Sequence, residues 1–408
     1  MLFSTIKASA QNWVSVGGGA DLFVRYIFTD TLSNRLYAVG EFHEIGGIAA
    51  YRTAYWDGID WTSLCDPSFV AESNPIMWGT IYNNDVFVSG THSVMGDSIT
   101  GKISHYLGNS IWESFGNPLG YCAIETIDDK LYAIGVYDSI GNKPIKNIAT
   151  WDGTSWEPIG DTSVSNYFNV SFVGSIETFN SNLIFGGNID SPPFKELIQW
   201  DGSSWNPLGN GIPGDSWVNC LKSYQGILYI GGYFNTPGFP NFLVAWDGQN
   251  FFKPFPEVDF LGQVWDLEVI NNELYIVGPV QLDVPNVNYG LAKFDGDTLC
   301  VFGGAGILGT SVETLGARQI IGLNGDLYVT ANKVMLNDTV NYIAKWNGTQ
   351  MDTCLIQPLH LGISELVAQP KNLVKIVDTL GRETENKPNT LLIYIYDDGT
   401  KKKMYRIE

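Results

Sequence analysis

The chain has few charged residues, few histidines and no long apolar run, and each shortage excludes a class of protein. Only 16% of its 408 residues are charged, whereas long helices are usually rich in Glu and Lys, so strands and turns are favoured. No run of eighteen apolar residues occurs, so we expect no membrane-spanning segment. The four histidines, which form no HExxH or HxH motif, are His43, His92, His105 and His360.

Positive charge is also scarce, and the formal net charge is −20 at pH 7. Without a basic face the chain cannot neutralise phosphates, which excludes nucleic acid as a partner. The same charge disfavours an anionic membrane surface. An acidic surface with 13% aromatic residues suits contacts with sugars, cations or other proteins.

Cysteines are few and scattered. None forms a CxxC pair, which argues against a zinc site and against a thioredoxin-like motif. Their odd number leaves at least one free thiol, and a single disulfide stays open. They are Cys65, Cys122, Cys220, Cys300 and Cys354.

A repeat of about 48 residues organises most of the chain. The segment Ile148–Gly160, which reads IATWDGTSWEPIG, returns at Ile198–Gly209, and weaker copies begin at Ala54 and Val244. An Asp-Gly pair between two strands predicts a type I′ hairpin, which needs positive φ at both central residues. The glycine of each turn recurs every 45 to 52 residues, at positions 58, 108, 153, 202, 248, 296 and 348.

A second marker, Leu-Tyr-x-x-Gly, precedes each of these turns, as at Leu131–Gly135. Before it come a polar turn and another strand, for example Ile124–Ile127 or Leu267–Ile270. Each repeat therefore supplies four antiparallel strands. Repeats of this length are typical of propellers, so the sequence predicts an all-β fold, a seven-bladed β-propeller.

The ends of the repeat region predict how the ring closes. Asn12–Gly19 matches the fourth strand of a repeat but has no repeat before it. We expect Trp13–Val16 to supply the fourth strand of the last blade. In a competing interpretation Met351–Leu355 takes that position and the N-terminus forms a cap.

Residues 1–10 end in Ala8-Ser9-Ala10, which matches a signal-peptide cleavage site directly before the first strand. We interpret residues 1–10 as the remnant of a secretory signal. The alternative is an ordinary N-terminal segment.

The repeat pattern stops near Cys354, and two further segments follow. Residues 355–370 carry no repeat marker and are interpreted as a linker. Residues 371–408 hold eight Lys or Arg against six Asp or Glu, whereas the rest of the chain holds 15 against 37. They contain three strand-like stretches, so we predict a separate small C-terminal β unit.

The repeat, which covers residues 11–354, resembles the kelch-like propeller repeats of secreted bacterial proteins and is similar to repeats of fungal cortical-marker propellers. The resemblance implies the fold and no particular activity. The tail resembles the C-terminal sorting domain of the type IX secretion system of Bacteroidetes, through Val374–Glu383, Leu392–Tyr396 and the basic last strand. It departs from that pattern at Gln369–Lys371 and Thr390–Leu391. This resemblance implies export by the type IX machinery to the outer cell surface or the medium.

No catalytic, cofactor-binding or metal-binding residue is predicted. The turn carboxylates could form a ring of cation ligands, but an Asp before Gly in a hairpin more simply accepts backbone hydrogen bonds. The recurring tryptophans suit packing between blades better than an exposed sugar platform. These two sets are Asp57, Asp152, Asp201, Asp247 and Asp295, and Trp56, Trp151, Trp200, Trp246 and Trp346. Sialidases need an arginine triad for the carboxylate of the substrate, and the propeller has only four arginines: Arg25, Arg35, Arg52 and Arg318.

The connections between second and third strands vary in length and chemistry while the strands stay alike, so we expect binding through them. They are His43–Arg52, Thr91–Lys102, Asp138–Lys146, Asn188–Lys195, Asn235–Asn241, Val280–Asn288 and Asn332–Asp338. The sequence favours a secreted, non-catalytic binding or adhesion module for a protein or a glycan. The alternative is a secreted polysaccharide-active enzyme, which predicts two or three carboxylates, or a carboxylate and a histidine, converging in the central pocket.

Overall fold

The computed structural model describes residues 13–66, 74–95, 98–99, 101–160, 170–234, 238–281, 288–302, 317–331, 340–346, 353–356, 373–377, 382–384, 391–396 and 401–405. The proposed signal remnant, most of the linker and His360 lie outside these residues. The regular elements that the structure describes are all β-strands. The described residues form no helix that could cross a membrane. The chain divides into two compact units, Met1–Pro358 and Leu359–Glu408.

Seven four-stranded antiparallel blades make up the first unit, which confirms the predicted seven-bladed propeller. Blades 1 to 3 comprise Val24–Asp30, Arg35–Gly40, Thr53–Trp56 and Trp61–Ser63; Ile76–Tyr82, Asp85–Gly90, Ile103–Gly108 and Ile111–Ser114; and Gly120–Ile127, Lys130–Tyr137, Ile148–Trp151 and Trp156–Pro158. Blades 4 and 5 comprise Val170–Phe179, Asn182–Ser191, Phe194–Trp200 and Trp205–Pro207; and Trp217–Tyr224, Ile227–Tyr233, Leu243–Trp246 and Phe251–Phe252. Blades 6 and 7 comprise Asp266–Ile270, Glu273–Gln281, Asn288–Phe294 and Thr298–Phe302; and Ala317–Leu323, Asp326–Ala331, Ile343–Trp346 and Trp13–Ser15.

Short strands decorate three of the blades. Glu44–Ile45 pairs with Ile48–Ala49 in the variable connection of blade 1, and Val94–Met95 pairs with Ser98–Ile99 in that of blade 2. Asp259–Phe260 adds to the second strand of blade 6.

The N-terminal strand closes the ring, as the sequence predicted. Trp13 lies opposite Trp346 and Ser15 opposite Ala344 in an antiparallel ladder. The Trp13 ring packs 4.9 Å from Trp346 and 6.5 Å from Phe302 between ring centroids. The first and last parts of the propeller sequence thus share one blade, which fastens the two ends of the ring to each other.

The competing interpretation of the closure was wrong. Thr353–Ile356 pairs with Thr298–Phe302 and becomes a fifth, outermost strand of blade 6. A disulfide between Cys300 and Cys354 joins these two strands. The three remaining cysteines are buried free thiols: Cys65, Cys122 and Cys220.

The type I′ turns occur in a different place from the one predicted. They join the first and second strands, where both central residues have positive φ, at Asn83–Asn84, Asp128–Asp129, Asn180–Ser181, Gln225–Gly226, Asn271–Asn272 and Asn324–Gly325. In the Trp-Asp-Gly hairpins only the glycine has positive φ, for example 101° at Gly153. The Asp152 carboxylate accepts the backbone N–H groups of Thr154 and Ser155, each at 2.8 Å, and so closes a longer loop than the two-residue turn.

The recurring tryptophans pack within and between blades, as predicted. Trp151 and Trp156 lie opposite each other on neighbouring strands, with ring centroids 5.6 Å apart. The Trp205 indole N–H donates to the Ile159 carbonyl of the preceding blade at 3.2 Å. A Cβ on Gly160 would lie 2.4 Å from the Trp200 ring, so the glycine after the fourth strand allows the next blade to approach.

The second unit contains the predicted small β sheet. Its strands Leu373–Val377, Leu391–Tyr396 and Lys401–Tyr405 pair antiparallel in that order. The basic stretch Lys401–Lys403 belongs to the last strand.

Candidate functional site

The first strand of every blade lines a central channel that encloses a cavity of about 300 Å³, and all seven blades contribute to its wall. Because neighbouring strands alternate in direction, the starts of these inner strands lie on the same face as the variable connections. We call this side of the propeller the loop face. The Asp-Gly and type I′ turns lie on the opposite side, which we call the turn face.

One position of the inner strand carries a charged side chain in four successive blades. Glu125, Glu177, Lys222 and Glu268 occupy this position in blades 3 to 6, and all four line the cavity. Each pairs with the second residue of the Leu-Tyr-x-x-Gly marker or its equivalent, as Glu125 does with Tyr132. The ring geometry therefore brings them together in the channel.

Lys222 is the central cation of this group. Its Nζ lies 3.0 Å from Glu268 Oε1 and 3.9 Å from Glu177 Oε2. These carboxylates favour the charged lysine, and they raise its pKa although burial opposes this. Burial in turn raises the pKa of Glu177, while Lys222 works to lower it. One lysine thus offsets part of a concentrated negative charge.

The pKa values of two carboxyls in the channel, Glu125 and Asp266, are strongly raised. Burial, with nearby Glu177, Glu268 and Asp266, raises the pKa of Glu125 to about 8. Burial and Glu268 raise the pKa of Asp266 to about 7. Both side chains keep part of their surface open to the cavity, so channel water limits the size of these shifts without changing their direction.

The partners of these two carboxyls differ. Asp266 Oδ2 accepts the backbone N–H of Ile320 at 2.9 Å and so ties blade 6 to blade 7. The Glu125 side chain makes no hydrogen bond or ion pair with any residue that the structure describes, although its backbone belongs to the strand ladder. Tyr26 reaches the same region from blade 1, and its pKa is raised by burial and by Glu125, Asp266 and Glu268. The channel therefore contains carboxyl groups, an amine and a phenol that can form hydrogen bonds with a ligand.

Aromatic and basic groups lie at the loop-face end of the channel, where the inner strands begin. The Arg318 guanidinium lies 4.7 Å from the Trp265 ring centroid. Arg25 belongs to the adjacent blade and donates through Nε to Glu41 Oε1 at 2.7 Å. The Trp265 indole N–H is buried and has no hydrogen-bond partner among the described residues. Trp78 also lines the cavity.

The turn carboxylates, by contrast, accept backbone hydrogen bonds within their own loops, as the sequence predicted. Asp57 and Asp201 each accept two backbone N–H groups of their own loop at 2.8 Å. These hydrogen bonds lower the pKa of both carboxyls. The turn carboxylates lie at the exposed ends of separate blades, so the structure does not bring them together as a cation site.

The described histidines have separate structural environments. His92 is buried and shares a 2.8 Å hydrogen bond with Ser104. His105 stacks on Phe87 at 4.4 Å and bonds Glu113 at 2.8 Å. Over the described ranges, no three His, Cys, Asp or Glu side chains are grouped so that they could hold a metal ion.

The carboxylate cluster was missed by reasoning from the sequence, although its signal is present. The stretches Ile124–Ile127, Ile176–Phe179, Leu221–Tyr224 and Leu267–Ile270 all read apolar-charged-small-apolar, with Thr, Ser or Val as the small residue. Their alignment by repeat would have placed Glu125, Glu177, Lys222 and Glu268 in one ring. The cluster is what the enzyme interpretation requires, and it lies inside the channel rather than in the variable connections.

Comparisons with known proteins add only a likeness of architecture. No protein-family model matches the chain, and no curated protein matches it. Among solved structures, the computationally designed Ika8 protein is 13% identical, with a TM-score of 0.45 over 97% of this chain and 100% of its own. A puromycin-hydrolyzing peptidase of Mycobacterium tuberculosis is 12% identical, with a TM-score of 0.48 over 94% of this chain and 60% of its own. A luciferin-regenerating enzyme is 13% identical, with a TM-score of 0.38 over 72% of this chain and 99% of its own. At these values the likenesses carry no functional argument.

Proposed function

We propose that this protein is a binding propeller and that its ligand is a glycan held in the central channel, entered from the loop face. The polar cavity lined by Glu125, Glu177, Lys222, Asp266 and Glu268 carries this proposal. Sugar hydroxyls need many donors and acceptors at once, and this group offers both. The variable connections surround the same entrance, so they would contact the parts of the ligand outside the channel.

The cavity suits a ligand of modest size. Its volume of about 300 Å³ lies at the lower end of the range of roughly 300–1,000 Å³ for small-molecule sites. Trp78 and Trp265 line it, and indole faces stack on the apolar faces of sugar rings. A saccharide unit at the end of a longer chain fits these conditions better than a folded protein surface does.

A glycan array probed with the full chain, followed by calorimetry on the hits, tests this proposal. Glu125→Gln should weaken binding of a hit roughly tenfold, since an amide in place of the carboxyl leaves a sugar hydroxyl without its partner, and an unsatisfied polar group costs about 1–3 kcal/mol. Glu257→Gln is the matched control, because Glu257 is exposed and lies outside the channel. Equal binding by both variants would place the ligand elsewhere, and a blank array would contradict the proposal.

A second candidate, a polysaccharide-active enzyme, is favoured by the same cluster. General acid–base catalysis needs one carboxyl that keeps its proton and one that is ionised. The raised pKa of Glu125 suits the first role, and Glu268, whose Oε1 lies 3.0 Å from Lys222 Nζ, is the candidate for the second. Here Glu125→Gln should abolish turnover of the glycan, whereas binding, though weakened, should remain measurable. Bound glycan that the unmodified protein leaves intact would contradict the enzyme.

We also propose that the protein works at the outer surface of a bacterial cell, or in the medium, after export through its C-terminal tail. The support is the resemblance of Val374–Glu383 and Leu392–Tyr396 to type IX sorting domains, and the cleavage-like site at Ala10. Adhesion would then be the biological use of glycan binding, and the type IX machinery the partner of the tail.

Deletion of residues 371–408 should abolish export while the propeller stays folded inside the cell. The measurement is the distribution of the chain between cells, cell surface and medium. A tail with Lys401–Lys403 changed to Gln provides a milder variant of the same length. Undiminished export without residues 371–408 would overturn the assignment of the tail.

A further inference from the structure

Two of the four arginines of the propeller meet at the loop-face end of the channel. Arg25 is in the inner strand of blade 1, Arg318 is in that of blade 7, and both line the cavity. The Gln319 side chain joins the two blades through paired hydrogen bonds of 2.8 and 2.9 Å with the backbone of Ile27. In a chain with a net charge of −20, this is an unusual concentration of positive charge.

Arg318 has no carboxylate partner among the residues that the structure describes. Arg25 does have one, since its guanidinium binds Glu41. Burial and the charge of Arg25 lower the pKa of Arg318, and no nearby carboxylate contributes in the opposite direction. The positive charge of Arg318 lies next to that of Arg25 and is not balanced by a carboxylate of its own. An anion from outside the chain could balance it.

The donors of Arg318 are available, since its guanidinium makes no hydrogen bond to a residue that the structure describes. It lies over the Trp265 ring, 4.7 Å from the ring centroid, and this cation–π contact does not use up the N–H donors. These groups form a rigid fork that matches two oxygens of a carboxylate or a sulfate. Arg318 is also exposed at the entrance, so a ligand can reach it.

We infer that Arg318, stacked on Trp265 and flanked by Arg25, binds an anionic group of the channel ligand, so that the ligand is an acidic saccharide bearing a carboxylate or a sulfate. This inference rests on the proposed glycan-binding function and specifies the class of glycan.

The charges along the channel would orient such a ligand. Glu125, Glu177 and Glu268 lie farther along the inner strands than Arg25 and Arg318, toward the turn face. Their negative charge repels an anion from the deeper part of the channel. The acidic group would therefore stay at Arg318, and the hydroxyl-rich remainder would point toward Glu125.

Matched ligand pairs test the inference on the full chain by calorimetry. One pair is an oligogalacturonate and its fully methyl-esterified form, which differ in charge but keep the sugar. The other is a sulfated oligosaccharide and its desulfated form. We expect at least one acidic member to bind roughly ten- to hundredfold more tightly than its neutral match, and the pair that responds identifies the anionic group.

Variants then assign the effect to the guanidinium. Arg318→Gln should reduce the preference for the acidic member to near onefold, and Arg318→Lys should retain only part of it, since lysine lacks the fork. Arg35→Gln is the matched control, because Arg35 also stacks on an aromatic ring, 4.2 Å from Tyr55, but begins the second strand of blade 1, at the turn face.

The remaining outcomes separate the inference from the proposed function. Equal binding of acidic and neutral members would overturn the anion site and leave glycan binding intact. If no saccharide binds, the glycan proposal fails. Binding of citrate and of inorganic sulfate then tests the anion site independently. Binding of either ion that Arg318→Gln removes would support it, and no binding would overturn it.

Discussion

The turn face and the channel each carry a carboxylate repeated from blade to blade, but the two sets have opposite chemistry. Asp201 on the turn face is exposed, accepts hydrogen bonds from its own loop, and has a lowered pKa. Glu125 in the channel is half-buried, has no partner among the described residues, and has a raised pKa. Both recur because the blades recur. Recurrence therefore identifies a position in the blade, and the surroundings of that position decide whether it stabilises a turn or faces a ligand.

The energetic meaning of the two sets differs in the same way. A carboxylate that accepts local N–H groups stabilises the fold when it is ionised. A carboxyl among other carboxyls stabilises the fold when it is protonated, and it costs free energy when it ionises. Residues that cost stability without a structural reason are candidates for function. By this criterion the channel is the functional region.

The largest expected effect comes from removing the only lysine of the channel cluster. Lys222→Met should lower the free energy of unfolding by roughly 3 kcal/mol at pH 8, since breaking a buried ion pair leaves uncompensated charge. At pH 5 the loss should shrink, because the carboxyls around it can then bind protons. Denaturant titrations at the two pH values measure both quantities.

Lys253→Met is the control for this prediction. Lys253 binds Asp259 at 3.1 Å, but this pair is more exposed than Lys222 and Glu268 are, and Asp259 is open to solvent, so its removal should cost at most about 1 kcal/mol. If both variants lose the same free energy of unfolding, the ion pairs of the channel stabilise the fold no more than a surface pair does, which would contradict the prediction.

The next effect concerns Glu125, whose pKa is raised from 4.5 to about 8. Between these values the folded state keeps a proton that the unfolded state has lost, so stability falls as pH rises through this window. Glu125→Gln removes that cost and should stabilise the protein by roughly 1–3 kcal/mol at pH 8, with little change at pH 4.

Unfolding free energies between pH 4 and pH 8 provide the measurement. Glu257→Gln is the matched control, because Glu257 is exposed and lies outside the channel. A Glu125→Gln profile parallel to that of the unmodified protein would mean that channel water solvates Glu125 fully.

The fold could be predicted from the sequence because its signals are local. The Asp-Gly turns, the Leu-Tyr-x-x-Gly strands and their spacing each lie within a few residues, and Asn12–Gly19 matches the missing strand directly. The fifth strand of blade 6 could not be predicted in this way. It depends on pairing between Thr298–Phe302 and Thr353–Ile356, and the spacing of five scattered cysteines does not identify which two meet.

The channel depends on ring closure, which brings together residues far apart in sequence. Asp266 helps to raise the pKa of Tyr26 only because blades 6 and 1 face the same cavity. The equivalent positions also differ in charge, with Lys222 between Glu177 and Glu268, so a search for one repeated residue type does not find them. The type I′ prediction failed for a third reason, since the side chain of Asp152 competes with the backbone preference of the Asp-Gly pair.

The smallest expected effect tests the turn-face half of the comparison. Asp201→Ala removes the acceptor for the N–H groups of Ser203 and Ser204, so the thermal midpoint should fall, by less than Lys222→Met lowers it. Because the pKa of Asp201 is lowered, its contribution is present at neutral pH and lost as pH falls below the usual range of an aspartate. Asp201→Asn keeps an oxygen acceptor and should lose less. Neither variant should alter glycan binding, and a variant that did would make the turn carboxylates part of the binding site.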